Sequence, residues 1–362
     1  MTRPTTAVVV CAYTLERWDD LCAALWSVTS QQPAADELWL VVDHNAQLQA
    51  RAEAELLPRL PRLRVIANAR QTGLSGARNS ALEQTGAEVV VFLDDDAIAE
   101  PGWLNWITAP YDDPQVIAAG GVAKPRWPTS QPARPVTLPS AGPEDAWAVR
   151  GELDWVVGCT YAGQPTALTP VRNLMGCNMS FRRSVFAEIG GFSEHLGRVG
   201  KVPLGCEETE LCIRAAAVFS RSSIVLEPRA RVRHHVSPDR LTWSYLLRRC
   251  YSEGVSKAAV AALVGWNVAL STERGYATRV LPAGLRRQLW EVAKPGQWRR
   301  ALGGTVAILL GFGATAVGYL RGRMGARRVR AEVPQLALAR ATAGPASLGS
   351  ATDASGLATR SA

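Results

Sequence analysis

Histidine is scarce in this chain, four in 362 residues, and the seven cysteines include no Cys-X-X-Cys pair. A structural zinc site draws on clustered Cys and His pairs, and the chain offers no such cluster. A secreted disulfide scaffold wants an even number of cysteines, whereas Cys11, Cys22, Cys159, Cys177, Cys206, Cys212 and Cys250 are odd in number and scattered. They read as reduced thiols in a cytosolic compartment. No apolar h-region or cleavage site precedes the strand-like run in MTRPTTAVVVCAY, so this stretch does not read as a signal peptide. No Gly-X-Gly-X-X-Gly follows the first strand, which argues against a dehydrogenase, and GLSGARN (73–79) lacks the Gly-Lys-Ser/Thr of a P-loop. Acidic residues are in the minority, 32 against 40 basic ones, for a net charge of +8. That surplus points to a polyanionic partner.

What is present is a large apolar fraction, 47%, enough for one big domain with appendages or for two domains. TAVVVCAY, ELWLVVDHN, LRVIANA and EVVVFLDDD read as strands. Between them RWDDLCAALWSVTSQ, with Leu21, Ala24, Leu25 and Val28 on one face, AQLQARAEAELLPRL and SGARNSALEQTG read as helices. Continuous apolar strands alternating with amphipathic helices predict an α/β fold with a parallel sheet covered on both faces. Ligands bind such sheets at the carboxyl ends of strands, here Tyr13, Asp43 and Asp94 to Asp96. From about 116 to 236 the pattern is looser, with a Pro- and Ser-rich loop at 124–146, and residues 241–300 read as helices. Residues 301–320 are uncharged and flanked by basic residues on both sides, a pattern that favours a membrane over nucleic acid as partner. This segment spans, lies in the interface, or packs as an ordinary buried helix. Beyond roughly 331 the composition is that of a disordered tail.

Four groups of side chains carry chemistry. In VVVFLDDDAIAEPGW a buried strand ends in three adjacent carboxylates, whose repulsion calls for a cation or polyol. Asp94 and Asp96 alternate on an extended chain and can converge on one hard divalent ion, Mn²⁺ or Mg²⁺, that also bridges a diphosphate. An exposed acidic turn is the competing reading. Glu207, Glu208 and Glu210 crowd a helix start, where they either cap the helix or supply a general base, with Glu208 the candidate. His234 and His235 end a strand and face opposite sides, so one of them completes a metal shell or both are structural. GLSGARN brings glycines and Arg78 to a helix start, where a phosphate or ribose can approach.

In order and spacing, CAYTLERW, VVDHN, GLSGARN, FLDDDA, MGCNMSFRR, GCEETELCIR and RVRHHV resemble the family 2 glycosyltransferases over roughly residues 5–240. Within that family the chain is similar to the branch acting on lipid-linked sugars, such as the glucosyl-dolichyl-phosphate glucuronosyltransferases. The resemblance implies a GT-A domain (Rossmann-like, mostly parallel sheet) over 1–240. A helical extension (241–300), an apolar membrane-associated helix (301–322) and a basic, then disordered tail (323–362) would follow. It implies an inverting, metal-dependent hexosyl- or glucuronosyltransferase that moves a sugar from a UDP-sugar to a glycan or polyprenyl-linked hydroxyl at the cytoplasmic face of a membrane. Tyr13, Thr14 and Asp43 would line the base pocket, and Arg78 would lie near the base or ribose. Asp94 would serve ribose and metal, Asp95 either, and Asp96 and His234 the metal. Glu208 would be the base, at a position where the family more often has Asp. Arg172 and Arg198 are candidates for an acceptor phosphate. A nucleotidyltransferase would need a glycine-rich basic loop after the first strand, which CAYTLERW does not provide. A non-catalytic carbohydrate-binding or scaffold protein would be expected to have lost these carboxylates.

Overall fold

The computed structural model describes residues 3–128, 151–194, 205–265, 270–294 and 298–329. Arg198, most of the expected 124–146 loop and the tail beyond 329 lie outside the described residues. Valine-rich β1 (Thr6–Ala12) runs parallel between β2 (Glu37–Val42) and β4 (Val89–Asp94), and β3 (Leu63–Ala67) extends the parallel sheet beyond β2. Successive strand residues point to opposite faces, and that alternation divides the core in two. Val8, Val10, Leu40 and Val91 meet Leu21 and Leu25 of α1 (Trp18–Thr29) on one side. Ala7, Val9, Val41 and Phe92 meet Ala77 and Ala81 of α3 (Leu74–Gln84) on the other. The helix between β2 and β3, α2 (Ala46–Glu55), is capped by Asn45, whose side chain accepts from Leu48 N–H.

After β4 come β5 (Ala97–Ala99), α4 (Trp103–Thr108), β6 (Ala118–Arg126), β7 (Thr169–Pro170), β8 (Asn178–Arg182), α5 (Arg183–Ile189), α6 (Glu207–Val218) and β9 (Ile224–His235). The strand order is β3-β2-β1-β4-β8-β6-β9-β5, with β7 paired to β9. Past β4 the directions are mixed: β8 is antiparallel to both β4 and β6, while β6 and β9 are parallel. The first half is thus the expected parallel sheet, and the second brings MGCNMSFR and RVRHH back to the carboxyl end of β4.

The C-terminal part is helical: α7 (Trp243–Val264), α8 (Ser271–Gly275), α9 (Leu281–Val292) and α10 (Trp298–Val329). The uncharged run expected at 301–320 lies inside α10, which continues through Arg321 and Arg323. Gly311, Gly318 and Gly322 face α7. A Cβ on Gly318 would sit 2.1 Å from Tyr251 O, and one on Gly254 of α7 would sit 2.1 Å from Thr315 O. Only glycine permits so close an approach of two helix backbones. The opposite face of α10 carries Trp298, Leu302, Val306, Leu309, Val317, Leu320 and Met324, all exposed. These recur at three- and four-residue steps, except for the eight between Leu309 and Val317 where Gly313 lies, as one stripe along the helix. Residues 301–324 are long and apolar enough to cross a membrane by length and composition.

Candidate active site

Asp43 stands one residue past β2, where its backbone N–H donates to Ala12 O at the end of β1. Its side chain is already well used. Oδ1 accepts from Asn68 Nδ2 (2.7 Å), lies 2.9 Å from Nδ1 of the exposed His44, and Oδ2 accepts from Gly73 N–H (2.9 Å). Asp43 therefore ties the strand ends to the loop before α3. With Cys11, Tyr13, Arg17, Leu74, Ala77, Asp94 and Asp95 it lines a small cleft at the carboxyl ends of β1, β2 and β4. Thr14 turns away from this work, its hydroxyl accepting from Glu16 N–H to cap the short turn that follows β1.

The three carboxylates of the Asp triplet diverge. Asp94, the last residue of β4, is partly exposed, with Oδ1 3.5 Å from Arg78 Nη2. Asp95 is buried, and its Oδ1 accepts from Arg17 Nη1 at 2.9 Å. Burial, and then the neighbouring charge of Asp96, push the Asp95 carboxyl up to about 7 against the pull of Arg17. Asp96 is also buried, which by itself would raise its pKa, but His234, Arg240 and Arg17 hold it well below the usual carboxylate range. Arg17 Nη1 and Arg240 Nη2 lie 3.2 and 3.4 Å from its Oδ2, and His234 Nε2 lies 3.1 Å from its Oδ1. That imidazole is at ion-pair distance but off hydrogen-bond alignment, so Oδ1 is buried without a hydrogen bond among the described residues.

His234 is buried at the end of β9, and Gly158 makes room for it: a Cβ there would lie 2.9 Å from the ring Cε1. His235 faces the other way, 2.7 Å from Asp20 and beside Arg126. Asp94, Cys177 and His234 each bring one donor atom to within 4.8 Å of the others. A carboxylate, a thiol and an imidazole at that separation, beside an orphaned carboxylate oxygen, fit a divalent cation.

A cavity of about 330 Å³ opens beside this cluster. Its walls combine Asp94, Arg78, His234 and Glu208 with Arg172, Lys257, Glu273, Tyr276, Ile308 and Phe312. Arg78 is buried, donates to Glu207 Oε1 (3.1 Å) and Gly176 O (3.0 Å), and so links Asp94 to the start of α6. It lines the large cavity but not the small cleft that holds Tyr13 and Asp43. Glu208 faces the cavity from the first turn of α6. Desolvation and then the charge of Glu207 push its carboxyl up to about 8, the range in which a general base works near neutral pH. Farther along the wall Arg172 makes a two-point pair with Glu273 (2.7 and 2.8 Å), Lys257 Nζ lies 2.7 Å from Glu273, and Arg249 donates to Glu253 at 2.8 Å.

The described structure brings together Asp94, Asp96, His234 and, through Arg78, Glu207. Sequence reading missed Arg17, Arg240, Cys177 and the Lys257–Glu273 pair. Only Arg17, inside CAYTLERW, and Cys177, inside MGCNMSF, sat within stretches already singled out.

The parallel strands with carboxylates at their carboxyl ends, closed by a mixed second half, define a GT-A glycosyltransferase domain. Residues 7–190 match Glycosyl transferase family 2. Over 260 residues, 71% of this chain and 77% of the other, the sequence is 30% identical to the Glucosyl-dolichyl phosphate glucuronosyltransferase of Haloferax volcanii. The chain belongs to glycosyl transferase family 2, and it is a glycosyltransferase that draws on a nucleotide sugar. It is also 31% identical to Polypeptide N-acetylgalactosaminyltransferase 15 of Mus musculus over 105 residues, 28% of this chain and 16% of that one. Among solved structures, the mannosyltransferase PcManGT from Pyrobaculum calidifontis, in complex with GDP-Man and Mn²⁺, shares the fold at a TM-score of 0.55. Identity there is 17%, with 91% of this chain and 89% of that one covered.

Proposed function

We propose that the protein moves a hexosyl or glucuronosyl unit from a UDP-sugar to a hydroxyl of a lipid-linked glycan, with inversion at the transferred carbon and with Glu208 as general base. One observation carries this reading: a carboxyl with a pKa raised to about 8 faces a cavity that it shares with the Asp94–His234 cluster. A base so placed takes the acceptor hydroxyl proton while the hydroxyl oxygen attacks from the face opposite the leaving diphosphate. Tyr13 and Asp43 serve the base of the nucleotide, and Asp94 and Asp95 its ribose. Thr14 contributes by shaping the turn that carries Tyr13 and Arg17, and Arg78 by holding Asp94 against α6. Asp94 and His234, with Asp96 against the imidazole, would hold Mn²⁺ or Mg²⁺. When bound, the ion supplies charge neutralisation for the departing nucleoside diphosphate.

The acceptor side is supported by cations and apolar groups in one cavity. Arg172, Lys257 and Arg249 pair with Glu273 and Glu253 there, and Ile308 and Phe312 come from α10. A phosphate followed by a hydrocarbon chain matches that lining, and the Haloferax relative is named for a dolichyl phosphate substrate. The outer stripe of α10 supports seating on a membrane surface, the cytoplasmic one being consistent with seven unpaired thiols. We assign α10 to the interface, not to a span. Its glycine face is locked on α7, which carries Arg248, Arg249, Glu253 and Lys257 and would have to enter the bilayer with it. Exposed Arg286, Lys294, Arg299, Arg321 and Arg323 flank the stripe and suit anionic headgroups.

The test is a donor panel with purified full-length protein: UDP-glucose, UDP-glucuronate, UDP-galactose and GDP-mannose, each with a polyprenyl-phosphate-linked sugar in vesicles, with and without Mn²⁺. Metal-dependent transfer from one UDP-sugar is the expected result. Transfer only to soluble glycans would overturn the acceptor assignment, and transfer only from GDP-mannose the donor assignment.

A further inference from the structure

The proposed function places the cation on Asp94 and His234 and leaves the sulfur of Cys177, the third donor of that cluster, unassigned. Its backbone is held on both sides. Arg78 donates to the carbonyl of Gly176 at 3.0 Å. Asn178 is fully buried, accepts from Trp103 Nε1 at 2.8 Å and donates to Ala230 O at 2.9 Å. The thiol itself donates to Gly158 O at 3.8 Å. Asp96, the carboxylate the Asp-X-Asp spacing suggests, is not in that set, and its Oδ2 is taken up by Arg17 and Arg240. Its remaining oxygen lies 3.1 Å from His234 Nε2, so Asp96 stands behind the imidazole and outside the three-donor set.

We propose that Cys177 is a protein ligand of the catalytic cation, so that this centre binds one sulfur, one nitrogen and one carboxylate oxygen and favours Mn²⁺, Co²⁺ or Zn²⁺ over Mg²⁺. Thiolate is a soft donor, and soft donors discriminate against Mg²⁺, which demands hard oxygen ligands. On binding, the S–H bond is replaced by a sulfur–metal bond and the proton is released to solvent. This inference rests on the metal-dependent reading above, but it assigns a ligand and an ion preference that the reading does not contain.

The experiment loads the full chain with Co²⁺ in the presence of UDP and records the near-ultraviolet absorption. Wild type is expected to develop a thiolate-to-cobalt charge-transfer band that Cys177→Ser lacks, with Co²⁺ affinity reduced tenfold or more in the variant and Mg²⁺ affinity little changed. Cys177→Ala provides the same comparison should serine disturb this buried position, and circular dichroism confirms folding of each. Cys159, whose Sγ is 3.9 Å from His234 Nδ1, supplies the control. A band that disappears in Cys159→Ser but survives in Cys177→Ser overturns the assignment, as does an unchanged spectrum in Cys177→Ser. Metal-dependent transfer with no sulfur band in wild type would sink the sulfur ligand alone. No cation bound even with UDP would sink the metal reading together with it.

Discussion

In the first hundred residues the sheet spends nearly every apolar side chain on its two cores, and Asp43 makes hydrogen bonds through both carboxylate oxygens. In the helical part from Trp243 onward, Glu253 and Glu273 pair with Arg249 and Lys257 along a cavity wall, helix backbones meet through glycine, and a row of large apolar residues faces outward. The nucleotide is a constant ligand and suits a rigid pocket whose carboxylates are already positioned. An acceptor with a charged head and an apolar tail needs both kinds of surface within one site. On the proposed function, the molecule would separate a pre-formed donor half from an amphipathic acceptor half, with Glu208 and the Asp94–Cys177–His234 cluster at the boundary between them.

The comparison breaks most completely at that boundary. Glu208→Gln is expected to lower the transfer rate by roughly 10²–10⁴-fold while leaving donor binding unchanged, measured by single-turnover assay and calorimetry. The sign of its effect on stability runs the other way. The Glu208 pKa is raised from 4.5 to about 8 by folding, so its contribution to stability is complete below about pH 4.5 and is lost as pH rises through about 8. Glu208→Gln should therefore melt higher than wild type at pH 8 to 9 and at about the same temperature near pH 4. The wild-type transfer rate should rise with pH through about 8 as the carboxyl deprotonates.

A smaller effect sharpens the acceptor half alone. Lys257→Met removes the cation shared by Glu273 and Glu253, which keep Arg172 and Arg249 respectively, at a cost of about 1–3 kcal/mol in urea unfolding. Acceptor KM should rise with donor binding untouched. Gly318→Leu forces α10 off Tyr251 O and should destabilise by about 1–3 kcal/mol. The smallest effect on folding is expected on the outer stripe. Leu309→Asp with Leu320→Asp should shift stability by no more than about 0.5 kcal/mol, because both side chains are exposed. The same pair should abolish co-sedimentation with vesicles containing anionic lipid; binding that survives would put a partner other than the bilayer on this face.

The donor half was the legible one. Val8 to Val10 and Val89 to Val91 form continuous runs with carboxylates at their ends, and local pattern alone orders such strands. The family resemblance added roles for Tyr13, Asp43 and Glu208 that no periodicity could supply. What the sequence concealed was long-range. Arg17 reaches Asp95 across 78 positions, Arg240 reaches Asp96 across 144, and Cys177 meets Asp94 only because β8 turns back antiparallel to β4. The 301–320 run stayed ambiguous for a related reason: composition alone does not reveal that Gly311 and Gly318 meet α7 while Leu302, Leu309 and Leu320 face outward until α7 is in position.

The central claim is that Glu208 serves a single displacement at the transferred carbon. The most direct test is the anomeric configuration of the product, read by proton NMR from the sugar's one-bond and vicinal couplings in the first turnovers with the UDP-sugar that supports transfer. Linkage opposite to that in the donor is the result this account requires. Retention of the donor configuration would contradict it, because one carboxylate acting as base on the acceptor hydroxyl cannot give that outcome.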